Sequence, residues 1–307
     1  MLGLGAAAHA GVWVRERGGV YLQTSVQHSR SERSYGPDGV LRESVDEVFM
    51  GDDAPVFDEG HTATTDLVTY GELGLGHGFE LVGSLPVRIA SGRYSFASDL
   101  APDVVNGHVG FGDAALGARF GRVIRSSALS VLAAVHLPLY DNDHEVLRTQ
   151  AGNSDFYDDR VPLGNGTVDF DLSAGAGTSW GWGWALLEAG GRIRNRQYSA
   201  AIPGRIQVGF RPIHPVALWL GADGVQSLGN GRAPDFYVDE WGKGPTVVDD
   251  QSYVAGTIGA SVDATERLGF YAGGSRVIAA SSYPLLTSIS AGVILKLSVV
   301  KRVEGEP

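Results

Sequence analysis

The chain has 307 residues, of which 43% are hydrophobic and 19% are charged, and its formal net charge is −11. It is too apolar for a disordered chain, and the acidic balance argues against nucleic-acid binding, which needs basic patches. The sequence contains no cysteine, which excludes disulfides, thiolate nucleophiles and cysteine-type zinc sites. No apolar run approaches the roughly 18 residues that a membrane-spanning helix requires.

The first ten residues, MLGLGAAAHA, end in the small-x-small pattern Ala8-His9-Ala10 that signal peptidases cleave. The apolar stretch before this pattern is short, and no basic residue precedes it. We therefore interpret residues 1–10 as a truncated or mis-started signal peptide, which predicts an exported chain. The rest divides into one β-domain over residues 11–300 and a tail over residues 301–307.

Apolar and polar residues alternate with a period of two along most of the chain, as in β-strands with one apolar face. Five short turns, centred near residues 77, 124, 182, 214 and 265, alternate with six mostly longer polar connections. No segment has the 3.6-residue period of a helix, so we predict a single all-β domain. The predicted strands are 19–28, 65–75, 79–90, 110–120, 129–139, 168–176, 185–193, 205–211, 216–225, 253–262, 268–277 and 285–300.

This alternation fits both a soluble β-sandwich and a membrane barrel, which point their apolar faces in opposite directions. An even number of strands, with short turns at one end and long loops at the other, is typical of outer-membrane barrels. Greek-key sandwiches instead scatter their connection lengths. The polar faces carry small residues and single charges of both signs, which suits a narrow lumen. We therefore predict one transmembrane, antiparallel, up-and-down β-barrel of about twelve strands.

This interpretation gives the hairpin between Val109 and Tyr140 an orientation. The apolar residues at every second position from Leu129 to Leu139 should face lipid, while Asp113, Arg119 and His136 face the lumen. The short turn at residues 121–127 should lie on the periplasmic side. The acidic connection after Tyr140 should then leave at the cell surface.

Three tryptophans, Trp180, Trp182 and Trp184, cluster around one short turn. A soluble protein gains little from exposed indoles there, whereas amphipathic rings suit a membrane interface. We predict that these residues lie at the membrane interface; local packing in a soluble core is the alternative.

The charges on the polar faces are the candidate functional residues. We hypothesise that they form a constriction that controls permeation; the alternative is that they pair with each other and only hold the wall. The sequence leaves both open. The candidates are Arg88, Asp113, Arg119, Asp171, Glu188, Arg192, Arg194, Arg211 and Asp223.

The sequence predicts no catalytic, metal or cofactor site. His136 lies on a polar strand face, but no spacing selects a serine and an acid to act with it. The cluster at residues 141–145, DNDHE, offers oxygen ligands for Ca²⁺ but lacks the glycine and terminal glutamate of a known calcium loop. We interpret this cluster as a solvated loop.

One element, Gly110-Phe111-Gly112-Asp113, starts a strand, and two strands carry Leu-Pro pairs, Leu85-Pro86 and Leu137-Pro138. Together with the regular succession of hairpins, these elements make the chain resemble the outer-membrane transporters grouped with the meta-pathway of phenol degradation. These transporters are relatives of the fatty-acid and aromatic-hydrocarbon channels. The resemblance implies a cofactor-free barrel that passes small, often hydrophobic molecules. Two features depart from it: no long N-terminal plug is evident before the first strand, and the last strand continues into a tail instead of ending at an aromatic residue.

Together these observations predict a passive channel for small molecules in the outer membrane of a Gram-negative cell. Its expected partners are membrane lipid, lipopolysaccharide and the permeant; no nucleic acid is expected, and the oligomeric state stays open. One alternative is a barrel with a filled lumen that is structural or displays its acidic loops. An outer-membrane lipid-modifying enzyme is a further alternative.

Overall fold

The computed structural model describes residues 12–36, 38–42, 57–96, 104–140, 147–148, 155–156, 163–164, 166–195, 198–231 and 249–298. In this part of the chain, no helix is long and apolar enough to cross a membrane. Twelve long strands match the predicted ones. They are β1 (Gly19–Ser31), β2 (Phe57–Gly76), β3 (Phe79–Phe96), β4 (Val104–Phe111 and Asp113–Ile124), β5 (Ser127–Pro138), β6 (Asp169–Trp180), β7 (Gly183–Arg194), β8 (Ala201–Ile213), β9 (Val216–Ser227), β10 (Ser252–Asp263), β11 (Leu268–Ser281) and β12 (Thr287–Ser298).

Each strand pairs antiparallel with the next, and β1 closes the ring by pairing with β12, with Gly19 opposite Ser298. Closure leaves no long strand edge exposed. Two-residue strands in the connections form two small separate sheets. The prediction of an all-β, up-and-down barrel is therefore confirmed.

Strand β4 is interrupted at Gly112, beside the Leu-Pro pair of β3. Its first part pairs with β3 beyond Pro86, and its second part pairs with residues 79–84. Pro86 has no N–H group to donate to a ladder, but its carbonyl oxygen accepts a hydrogen bond from the Gly112 N–H at 3.0 Å. The two motifs that carry the family resemblance therefore meet at one irregular point in the wall.

The side chains decide which face points outward. Leu116, Leu172 and Ile258 are 62%, 53% and 68% exposed, while the alternating Arg119 and Arg192 are 4% and 5% exposed. An exposed apolar belt of this extent has no role on a soluble monomer, and it matches the exterior of a membrane barrel. As predicted, Leu129 faces outward and His136 faces inward.

The short turns between β2–β3, β4–β5, β6–β7, β8–β9 and β10–β11 lie at one end, which we call the short-turn end. The opposite end is the long-loop end. The predicted acidic cluster at residues 141–145 lies outside the described residues.

Candidate functional site in the barrel lumen

The residues before β1 enter the lumen at the short-turn end. We call residues 12–16 the inner N-terminal segment. Val12 is fully buried against the inward-facing Ala128 of β5 and Leu186 of β7, with Trp13 packed beside them. In the twelve-strand ring, β7 lies opposite β1, so this segment crosses the lumen before it joins β1.

Inward-facing glycines make room for this segment. A Cβ atom at Gly74 would lie 2.1 Å from the Glu16 carbonyl oxygen, and one at Gly175 would lie 2.4 Å from Val12 Cγ1. At Gly121 the nearest atom would be Val14 Cγ2, also at 2.4 Å. Any larger residue at these positions would push the segment away from the wall.

An ion-pair cluster fixes the far end of the segment. Arg15 Nε lies 2.7 Å from Glu72 Oε2, and the Arg15 backbone N–H donates to Glu80 Oε1 at 3.3 Å. Arg119 Nη1 lies 2.7 Å from Glu80 Oε2 and 3.2 Å from Glu72 Oε1. Tyr70 donates its hydroxyl to Glu72 at 2.7 Å. Both buried carboxylates are thus bonded to two arginines, an arrangement we call the lower charge cluster.

A long plug before β1 was not evident in the sequence, and the inner N-terminal segment, which the sequence did not predict, is a short insertion. The segment is short, but five residues are enough to cross a lumen when charged partners on β2, β3 and β4 hold one end. Sequence reasoning missed Arg15 because it precedes the first strand and carries no alternating pattern.

A second piece of chain, residues 163–164 and 166–167, packs into the lumen; we call it the second inner segment. Leu163 is 1% exposed, and its carbonyl oxygen accepts a hydrogen bond from Arg88 Nη1 at 2.7 Å. Arg88 also forms two hydrogen bonds to Asp66, at 2.6 and 2.7 Å. Arg88 thus links the wall to this segment.

Asp113 and Tyr140 hold the same segment from β4 and the end of β5. Tyr140 donates its hydroxyl to Asp113 at 2.6 Å and accepts the Gly166 N–H at 2.7 Å. Burial, with a further contribution from the Asp113 carboxylate, raises the pKa of Tyr140 well above its ordinary value. The phenol therefore remains a hydrogen-bond donor at neutral pH.

A third cluster lies on β5, β6 and β7. Arg192 makes a two-pronged contact with Asp171 at 2.6 and 2.7 Å, and His136 Nε2 lies 3.2 Å from the same carboxylate. Arg194 Nε lies 3.7 Å from Asp169 Oδ2. Thr167 of the second inner segment donates to Asp169 at 2.6 Å. This upper charge cluster therefore also holds an inserted segment.

A cavity of about 320 Å³ lies in the lumen beside Arg119 of the lower cluster and Asp171 and Arg192 of the upper cluster. Its wall is mixed: Val82, Leu132 and Pro203 are apolar, whereas Tyr70, Ser84, His136, Glu188 and Arg205 are polar or charged.

Two candidate charges, Glu188 and Asp223, lie on either side of Arg205 on neighbouring strands, and Glu188 and Arg205 line this cavity. Glu188 is in register with Arg205, and Arg205 is in register with Asp223. Within the described chain, Glu188 has no hydrogen-bond or ion-pair partner.

The remaining candidates lie at the short-turn end. Arg211 is exposed there, with its guanidinium 5.7 Å from the centre of the Trp184 ring. Trp184 is 7% exposed and points into the barrel, so its assignment to the membrane interface is wrong. It belongs to β7, two positions from Leu186 and four from Glu188 on the inward face. Trp180 and Trp182 are 37% and 65% exposed and contact each other edge to face, with ring centres 5.4 Å apart.

No group of three or more histidine, aspartate or glutamate side chains in the described residues could hold a metal ion. His136 bonds to a carboxylate that Arg192 already neutralises. This arrangement links β5, β6 and β7 of the wall.

Comparison with known proteins finds structural similarity. No family model matches the chain, and neither does any curated protein sequence. An outer membrane channel from Pseudomonas putida F1 is similar over 95% of this chain and 100% of that chain, with 12% identity and a TM-score of 0.63. The translocator domain of the autotransporter NalP from Neisseria meningitidis has 12% identity over 92% and 90% of the two chains, with a TM-score of 0.48. A Pseudomonas aeruginosa FadL homologue has 10% identity over 90% and 89%, with a TM-score of 0.40.

The first of these similarities shows a shared barrel fold. It agrees with the family resemblance noted in the sequence, which rests on two motifs that meet in the barrel wall.

Proposed function

We propose that this protein is a passive channel for small molecules in the outer membrane of a Gram-negative bacterium, and that it is not an enzyme. The observation that carries the proposal is the cavity inside a closed barrel whose outer wall is apolar. A closed barrel with this exterior is suited to an outer membrane. A structural barrel whose lumen was completely filled by protein would not need a cavity of ligand size.

The cavity lining favours permeants with both polar and apolar parts. At about 320 Å³ it lies at the lower end of the size of small-molecule sites. Its apolar residues supply contact area, while Arg119, His136, Glu188 and Arg205 supply hydrogen bonds and charge.

The candidate charges have two roles in this proposal. Arg88, Arg119 and Arg192 hold the inserted segments and the wall through carboxylates on neighbouring strands. Arg119 and Arg192 also line the cavity, so in this proposal they form the constriction that permeants pass. The fold thus supports both readings of these charges, and a conductance measurement on charge variants separates them.

The proposed orientation places the short-turn end at the periplasm. Trp180 and Trp182, which are exposed beside the β6–β7 turn, then lie at the periplasmic membrane interface. Lipopolysaccharide surrounds the long-loop end.

Conductance of the full chain in a planar lipid bilayer tests this function. We expect steady channels, and we expect Arg15→Ala to raise the single-channel conductance because it releases one end of the inner N-terminal segment. Arg17→Ala is the matched control: Arg17 is two residues away, is exposed, and has no partner in the lower charge cluster. Absence of steady conductance in the wild type and in Arg15→Ala would favour the alternative of a filled, structural barrel.

A gel-mobility assay tests the membrane barrel itself. We expect the detergent-extracted protein to migrate differently before and after boiling, because a closed barrel resists unfolding by the detergent. A chain that is soluble without detergent and shows no heat-dependent shift would contradict the proposed location.

A further inference from the structure

The outer wall carries two neighbouring arginines, Arg30 and Arg276, that take no part in the charge clusters of the lumen. Among the described side chains of the twelve strands, Arg30, Arg122 and Arg276 are arginines on outward-facing positions. Arg122 lies near the β4–β5 turn. Arg30 and Arg276 lie toward the long-loop end, on β1 and β11.

The two arginines flank one residue of β12. Thr287 is in register with Arg30 on one side and with Arg276 on the other. Residues in direct register project from the same face, and neighbouring strands lie about 4.8 Å apart, which puts the two Cα atoms about 10 Å apart. Two arginine side chains with an exposed threonine between them can therefore converge on one ligand.

The distance of Arg30 and Arg276 from the short-turn end, measured along the barrel axis, places them near the edge of the apolar belt. With a rise of about 3.3 Å per residue and a strand tilt of about 40°, Arg276 lies about 20 Å and Arg30 about 28 Å from the short-turn end. The apolar band of such barrels is about 25 Å tall. On the membrane side, Ile289 is 65% exposed, and Val26, one outward position beyond the exposed His28, is 51% exposed.

The positive charges of Arg30 and Arg276 at the edge of the apolar belt need an anionic partner. Arg276 has no hydrogen-bond or ion-pair partner within the described parts of the chain, whereas Arg30 contacts Glu32 at 2.7 Å through side chains that are both more than half exposed. A lipid-facing arginine is costly unless its guanidinium meets a counter-charge. At this height the available anions are lipid phosphates, which the planar guanidinium binds through two parallel hydrogen bonds.

We infer that Arg30, Thr287 and Arg276 form an external binding site for a phosphate group of a phosphorylated glycolipid of the outer leaflet, that is, lipopolysaccharide. The arginines bind the phosphate, and Val26 and Ile289 contact the acyl chains below it. The inference rests on the proposed outer-membrane location and orientation, and it is independent of transport through the lumen.

The test compares the wild type, the double variant Arg30→Ala/Arg276→Ala and the control Arg122→Ala. Each full chain is purified from outer membranes in mild detergent, and the co-purifying phosphorylated glycolipid is quantified per barrel by mass spectrometry. We expect about tenfold less bound glycolipid on the double variant, as for the loss of one strong phosphate contact, and wild-type amounts on Arg122→Ala. The heat-dependent gel shift verifies that every variant is folded.

A second measurement identifies the source of the phosphate. Added lipopolysaccharide should raise the temperature of the gel shift for the wild type but not for the double variant. An equal rise with inorganic phosphate would overturn the assignment to a lipid. Equal glycolipid on wild type and double variant, or an equal loss in Arg122→Ala, would overturn the site.

These failures differ from failure of the proposed function. If the wild type conducts in bilayers but the double variant keeps its glycolipid, only this inference is wrong. If the protein is missing from the outer-membrane fraction, the proposed function is wrong as well.

Discussion

The two sides of the lumen wall differ in the way they are held together. On the charged side, strands β2–β9, inward arginines pair with carboxylates of the same side and bind both inserted segments. On the neutral side, strands β10–β12 and β1, the inward residues are mainly tyrosine, serine, glutamine and glycine. Its described ion pair, Lys296 with Asp263 at 2.7 Å, lies at the short-turn end.

Neutral hydrogen bonds connect the strands on the neutral side. Tyr21 donates to Gln23 at 2.6 Å, and Gln23 donates to Tyr271 at 2.9 Å. Farther toward the long loops, Ser29 and Ser288 share a hydrogen bond of 2.7 Å. These groups need no counter-charge, and the inner N-terminal segment contacts this wall through the Arg15 guanidinium, 4.5 Å from the centre of the Tyr21 ring.

This difference indicates that the charged side holds the inserted segments in the lumen. A buried charge is tolerable only with a partner of opposite sign and further hydrogen bonds. Arg15 supplies a counter-charge to Glu72, and the Leu163 carbonyl accepts a hydrogen bond from Arg88. Each inserted segment is therefore needed where it lies, because it stabilises a buried charge of the wall. Disruption of the charged side should therefore affect both stability and permeation, whereas disruption of the neutral side should affect stability alone.

The largest expected effect follows from Arg119→Ala. Removal of this arginine takes one cation from Glu72 and Glu80, which are 2% and 0% exposed. The loss of one member of a buried ion cluster lowers the free energy of unfolding by about 3–5 kcal/mol. Urea unfolding of the barrel in lipid vesicles measures this change. The control is Arg122→Ala, on the same strand but facing outward, and an equal effect of the two substitutions would contradict the role of the cluster.

The double substitution Arg192→Ala/Arg194→Ala tests permeation on the charged side. It removes two positive charges from the lumen and leaves the carboxylates of Asp169 and Asp171, so the lumen becomes more negative. We expect the preference for cations to rise by about twofold or more, because an uncompensated charge attracts counter-ions in a narrow pore. The reversal potential in a salt gradient measures this preference.

The matched control for this pair is Ser130→Ala, which alters an inward-facing residue without changing charge. If conductance and ion preference both stay at wild-type values in the double variant, the constriction hypothesis fails and the charges only hold the wall.

The smallest expected effect belongs to the neutral side. Tyr271→Phe removes the acceptor of the Gln23 hydrogen bond and keeps the ring, so the free energy of unfolding should fall by about 1 kcal/mol. Conductance should stay at the wild-type value. A large change in conductance would show that the two sides do not divide stability and permeation as proposed.

Much of the wall was predictable from local patterns. The hairpin from Val109 to Tyr140 was placed correctly, with Leu129 outward and Asp113, Arg119 and His136 inward, since a period of two assigns faces once the direction of the apolar side is known. Trp184 shows the limit: its tryptophan pattern placed it in a turn over residues 180–184, but β7 already begins at Gly183. Trp184 therefore takes its place in the alternation of β7, on the inward face with Leu186.

The charge partners were not predictable in the same way. Arg15 and Glu72 are 57 positions apart, and Arg88 and Leu163 are 75 apart. Nothing in the alternation of one strand shows which charges of other strands share its height, because tilt and register set that height for the whole ring.

The sequence by itself determined the twelve strands and which residues share a face, because strand periodicity is a local property. The alternation of short turns and long loops then indicated that the apolar face is the exterior and the polar face the lumen. Tertiary structure alone decided that β12 closes on β1, that residues 12–16 cross the lumen, and that Arg30 and Arg276 meet beside Thr287. Each of these depends on register between strands far apart in the chain, and only the closed ring defines that register.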